Sequence, residues 1–320
     1  MMAVVALAFS SCKKQENTKT DSVVFNHTTE QMVTVNDENE FEKVYFDPQN
    51  VIAYEVGDQL MLFDIREGGN GSRAAAYELV TENDQTLLTT VAGQTALDAT
   101  TTGAYYAFYP ATNVRNVTSL TNGNRATFQL STTQTYRPND GTNTMLPKGA
   151  LYIAAKAEES TLNDAMFICR NICGVLKLNF YSPSGKQIQS IEVTDNKFNI
   201  VGDVELKIDE VDPDYMSDLF GRYSDDATYQ TELSNYLQRL GYNTSNATNK
   251  VTLDCGNGVQ IGATKAAATP FYIVMRPLAL LKGCSIKVNF VGGGSKVINS
   301  TKNNVIKPNM IRNMAATSVG

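Results

Sequence analysis

The run from Cys169 to Phe180, CRNICGVLKLNF, most narrows what this chain can fold into. Leu176, Leu178 and Phe180 alternate with Lys177 and Asn179, the period of two that a strand with one buried face requires. Similar runs recur before it, at Gln59–Ile65, Tyr77–Val80, Thr86–Val91, Ala104–Tyr109, Thr127–Leu130 and Leu151–Ala157. After it come Ile188–Val193, Phe198–Val201 and Val204–Ile208, read as a tight antiparallel set, then Val251–Leu253, Phe271–Met275, Ser285–Phe290 and Lys296–Ile298. A helical period appears once: Tyr229, Leu233, Tyr236, Leu237 and Leu240 share one face, ahead of Gly241. The pattern predicts an all-β protein of two β-sandwich domains, 23–160 and 161–320, with a short helical insertion at about 212–241 in the second.

Hydrophobic residues make up 42% of the 320 and charged residues 19%, which suits packed cores and argues against disorder. A net charge of −6 without a basic cluster argues against a nucleic-acid partner. At the N-terminus, Met1–Phe9 is a short apolar run that closes on Ser10-Ser11 before Cys12. This resembles the lipobox of bacterial lipoproteins, in which that cysteine is acylated, with a truncated secretory signal as the alternative. Either reading exports the mature chain, and 1–22 is then signal and tether.

Export permits disulfides among Cys169, Cys173, Cys255 and Cys284. On one extended strand Cys169 and Cys173 would lie roughly 13 Å apart, too far to bond each other. Cross-pairs with Cys255 or Cys284, or four buried thiols, remain the alternatives. His27 is the only histidine and sits in the N-terminal segment, which removes Ser-His-Asp and Cys-His constellations and histidine metal sites. Asp212, Asp214, Asp225 and Asp226, in or beside the helical insertion, read as a solvated charged face. No enzyme signal, metal site or cofactor is expected.

Several blocks in order resemble the fimbrillins of Bacteroidales, the subunits of type V pili. They are the lipobox at Cys12, VIAYEVGDQLMLF, YYAFYP, FQLSTTQTY with its Gln134, LYIAAKA leading into MFICRNICGVLKLNF, TPFYIVMRPLALLKGCSIKVNF and VIKPNMIRNM. The resemblance implies transthyretin-like sandwiches and a structural, adhesive fimbrial subunit assembled by strand exchange. It places the protein in the outer membrane, cell surface or fimbrium of a Gram-negative bacterium, held there through a lipid anchor. Its partners would be other fimbrial subunits, a trypsin-like maturation protease and a host or bacterial surface ligand.

In that family the protease removes an N-terminal strand after an arginine, and a neighbour's strand fills the groove. Here the first arginines after Cys12 are Arg66 and Arg73, both beyond the Gly57-Asp58 block, while Lys43 sits where a cut is expected. These three are the candidate processing sites, and their placement points to a minor, tip or anchor subunit. The candidate donor strand is the terminal segment with Val305, Ile306, Met310 and Ile311. The rival reading is a surface glycan-binding lipoprotein without catalytic activity, whose contacts would be Tyr105, Tyr106, Tyr109 and Tyr136.

Overall fold

The computed structural model describes residues 22–29, 33–36, 44–46, 56–65, 73–120, 123–138, 146–147, 153–207, 247–276, 280, 283–302, 304, 306 and 309–320. Cys12, Lys43, Arg66, Val305 and the stretch 212–241 expected to be helical lie outside them. Among the described residues the regular structure is strand, with only short 3-10 turns at Ala111–Asn113 and Lys265–Ala267. Over the described residues the protein is all-β.

The strands of the first half are β1 (Ser22–Val24), β2 (Asn26–Thr29), β3 (Val33–Asn36), β4 (Val44–Phe46), β5 (Gln59–Ile65), β6 (Arg73–Glu82) and β7 (Gln85–Thr90). There follow β8 (Gly103–Tyr109), β9 (Val114–Leu120), β10 (Gly123–Leu130), β11 (Thr133–Thr135) and β12 (Ile153–Ser160). The remainder are β13 (Met166–Asn171), β14 (Gly174–Tyr181), β15 (Gln187–Asp195), β16 (Gly202–Lys207) and β17 (Lys250–Gln260). The last are β18 (Thr269–Met275), β19 (Cys284–Phe290), β20 (Ser295–Ser300), β21 (Met310–Asn313) and β22 (Thr317–Ser318).

They form four sheets. An eight-stranded sheet runs β1-β7-β6-β5-β8-β12-β13-β2, and a three-stranded one β16-β10-β9. A five-stranded sheet runs β11-β17-β15-β19-β20, and the fourth runs β18-β14-β21-β3-β4, with β22 also on β14. Buried apolar side chains form one connected cluster from Val23 to Val319.

The central run behaves as its period demands. Leu176, Leu178 and Phe180 are buried while Lys177 and Asn179 are half-buried. The chain does not stay extended from Cys169 through Cys173, however. Asn171, itself buried, accepts the Cys173 amide through Oδ1 at 3.0 Å, and the chain leaves the eight-stranded sheet for the six-stranded one at this turn. This side chain-to-backbone bond is the local competitor that ends a strand. The expected antiparallel set after it also rearranges. β15 lies between β17 and β19, and β16 pairs instead with β10, where Val204 aligns with Phe128. Strand periodicity fixes which face is buried but not which neighbour is chosen.

Candidate functional site

β1 and β2 stand at opposite ends of the eight-strand order, yet only Phe25 separates them in the chain. The sheet therefore closes on itself through one extended run, 22–29. β1 lies antiparallel to β7, with Ser22 opposite Thr89, Val23 opposite Leu88 and Val24 opposite Leu87. The Phe25 amide carries on that ladder by donating to Thr86 O at 2.9 Å. β2 then lies parallel to β13, with Asn26 aligned with Met166, His27 with Phe167, Thr28 with Ile168 and Thr29 with Cys169.

Alternation along this run turns Val23 and Phe25 inward, where they are 5% and 4% exposed. The Phe25 ring lies 5.6 Å from that of Phe167 and stacks on His27 at 4.3 Å. Burying each of the two apolar side chains stabilises the run by about 1.5–3 kcal/mol. Outside the sheet's interior, Thr28 is exposed and Asn26 half-exposed. The run thus fills a slot that offers backbone partners on both sides and an apolar floor beneath. Without it, β7 and β13 would become open edges.

The segment that follows enters a different sheet. β3 lies parallel to β21, Met310 opposite Val33 and Asn313 opposite Asn36, and β4 covers its other side. β21 is in turn parallel to β14. Of the candidate donor residues, Ile306, Met310 and Ile311 are buried within this chain's own fold. Asn179 pins the strand by donating through Nδ2 to Asn313 Oδ1 at 2.8 Å and to Met314 O at 2.7 Å.

Arg73 is exposed at the start of β6, aligned with Asp64 of β5. β5 is an interior strand, paired on one side with β6 and on the other with β8. A cut after Arg66 or Arg73 would separate β5, with its buried Leu60, Leu62, Phe63 and Ile65, from the rest of its sheet.

The aromatic run corrects the glycan-contact expectation at two of its four residues. Tyr105 and Tyr106 are 0% and 1% exposed, and the Tyr105 hydroxyl donates inward to Thr101 O at 2.6 Å. Neither ring can meet a ligand. Tyr109 is half-buried and donates to Asp58 Oδ1 at 3.1 Å, which ties this strand to the turn at Gly57-Asp58. Gly57 has φ +90 in that turn, a conformation open to glycine, and its amide donates to Leu79 O. Tyr136 packs against Phe271 with ring centroids 5.2 Å apart, and burial, then the neighbouring Cys255, raises its hydroxyl above the usual range.

Cys169, Cys173, Cys255 and Cys284 are all buried thiols, the second of the two alternatives open from sequence. Burial raises Cys173 strongly, and burial with the Asp254 carboxylate pushes Cys255 up to about 12. Such thiols are poor nucleophiles and poor metal ligands.

The slot itself escaped the sequence reading. From sequence, the short apolar pieces Val23, Val24, Phe25 and Met32, Val33, Val35 read as no more than one or two edge strands. The inward pair Val23 and Phe25 was legible as apolar spacing, but its two neighbours lie more than sixty residues away.

No protein-family model and no curated protein sequence matches the chain. Among solved structures, it is similar to a proposed cell adhesion protein from Bacteroides ovatus, at 11% identity over 89% of each chain with a TM-score of 0.44. One from Bacteroides uniformis shares 12% identity, covering 83% of this chain and 88% of that one, with a TM-score of 0.40. The tip fimbrial protein Mfa3 of Porphyromonas gingivalis shares 9% identity over 77% and 76%, with a TM-score of 0.28.

Proposed function

We propose that this chain is a structural, adhesive fimbrial subunit without catalytic activity, exported as a lipoprotein acylated at Cys12 and assembled by strand exchange. The observation that carries the reading is the run 22–29, which alone closes the eight-stranded sheet between β7 and β13. A strand lent by a neighbouring subunit can replace it, because the slot asks only for backbone pairing and two alternate apolar side chains.

The order of strands also bears on maturation. Lys43 is the sole lysine or arginine between the end of β3 and the start of β5. One cut there by a trypsin-like protease would detach β1, β2 and β3 and leave β5 in its sheet, while β4 would lose β3, its partner in the sheet. Cuts after Arg66 or Arg73 would take an interior strand with them. This favours a minor, tip or anchor position over a stalk processed at arginine. The terminal segment with Val305, Ile306, Met310 and Ile311 is the donor candidate, and donation would require it to leave β14 and β3. The division into two sandwich domains near residue 160 belongs to the same reading.

Surface fibres sheared from the native cells test the reading by mass spectrometry and N-terminal sequencing. The chain is expected in the fibre fraction, beginning either at lipidated Cys12 as an anchor or beyond Thr29 as an assembled subunit. Its absence from fibres would overturn the fimbrial assignment.

A further inference from the structure

β17 carries a wide bulge where it passes β15. Ile188 pairs with Val259 and Ser190 with Asp254, so Gln189 alone faces the run from Cys255 to Gly258. Two glycines permit the excursion. Gly256 stands at φ +59 and Gly258 at φ +104, and a Cβ on Gly258 would meet Val291 Cγ2 at 2.3 Å. The near side of the bulge is held in place: the Gly256 amide donates to Asp254 Oδ1 at 2.9 Å, and Gln189 Nε2 donates to Gly256 O. Cys255 is buried, whereas Asn257 is exposed and its side chain makes no hydrogen bond among the described residues. The sequence holds three Asn-Gly pairs, Asn70-Gly71, Asn122-Gly123 and Asn257-Gly258, and the third lies wholly within the described residues.

From this geometry we propose that Asn257 is a modification site, at which the folded chain converts asparagine to aspartate and isoaspartate without an enzyme. The Gly258 amide nitrogen bonds to Asn257 Cγ, and the side-chain nitrogen leaves as ammonia, taking the amide proton with it. A five-membered succinimide then joins the two residues. Water opens that ring at either carbonyl, to aspartate or to isoaspartate, and no oxidant, reductant or cofactor enters. Three features of the bulge favour the step. Gly258 has no side chain to shield its nitrogen. Residues 257 and 258 lie outside the paired register, so ring closure disturbs neither the Ile188–Val259 pair nor the Ser190–Asp254 pair. Exposure of Asn257 lets ammonia out and water in. The product adds a negative charge to a chain of net −6, close in sequence to the Asp254 carboxylate. Isoaspartate also lengthens the backbone by one carbon, and the bulge takes up that length outside the ladder. The chemistry is independent of fimbrial assembly, and the converted fraction rises with the age of each molecule.

The test uses the full chain, folded in mildly alkaline buffer, beside the same chain unfolded in denaturant and the variant Asn257→Gln. Samples taken over time are digested with trypsin, and mass spectrometry follows peptide 251–265, which runs between Lys250 and Lys265. Cleavage by a protease that cuts before aspartate but not before isoaspartate separates the two products. We expect the peptide from the folded chain to gain the mass of an ammonia-to-water exchange at residue 257, at a rate of the same order as in the unfolded chain. The Asn257→Gln variant should melt at the same temperature and gain no mass over that time, because glutamine would have to close a six-membered ring. Asn257 that stays intact in the folded chain while it converts in denaturant would overturn the proposal. So would an equal mass gain in the Asn257→Gln peptide, which would place the change at another residue.

Discussion

Gln134 supplies from a side chain what a neighbouring strand would otherwise provide. It is 3% exposed, its Nε2 donates to Val274 O at 2.6 Å, and its Oε1 accepts from Val274 N at 2.9 Å. β18 stands at the end of its sheet, so this amide seals a backbone edge and ties β11 across to it. Gln134→Leu keeps the bulk but leaves both Val274 groups without these bonds, and should destabilise by about 2–4 kcal/mol in chemical denaturation. The residue stood out in its sequence block, yet its role was hidden, because the partner lies 140 positions along the chain. Glu192 offers a milder case on the solvent face. Its bond from Asn289, then Lys287 and Lys250, holds its carboxyl below the ordinary range. A lowered folded-state value adds stability above the unfolded carboxylate's range and loses it as pH falls through the folded value. Glu192→Gln should therefore lower the melting temperature slightly at pH 7, and the difference should vanish on acidification.

At the scale of elements, strand identity was far more legible than strand partnership. The alternation in β14, β15 and β19 reads directly as one buried and one half-buried face. β9 was not foreseen, and Val114–Leu120, with Arg115 and Asn116 near its start, shows no clean period of two. The crossing of β16 to β10, and of β3 to β21, follows from long-range fit that local spacing does not encode. The same is true of the slot. Its depth predicts that Phe25→Ala costs about 3–5 kcal/mol, because the ring leaves a cavity against Phe167. Amide hydrogen exchange should then show faster opening of 22–29 and of its neighbours on β7 and β13 before any change in β14.

Across the whole molecule, the recurrent problem is what to do with sheet edges, and the answer differs from place to place. The Gln134 amide seals β18, and the N-terminal run seals both ends of the eight-stranded sheet. The interior needs no cross-links to hold this arrangement. At pH 8 a soluble thiol reagent should label Cys169, Cys173, Cys255 and Cys284 slowly in the folded protein and together on unfolding, as mass spectrometry would show. The Cys255 value is raised by folding, so its contribution to stability is complete below the unfolded thiol's range and falls away as pH climbs toward about 12. The composition made an all-β core legible, and a single histidine in the N-terminal segment argued against catalysis. The slot that the N-terminal run fills was not legible, since it is assembled from residues near 25, 88 and 167. The most direct test is to cut the folded chain at an engineered site in place of residues 30–32 and add an excess of labelled Ser22–Thr29 peptide. The account predicts that the label enters the protein as the original strand leaves, and that a peptide with Phe25→Asp does not compete. A nicked protein that holds its own strand indefinitely, or that stays equally stable after losing it, would contradict strand exchange at this slot.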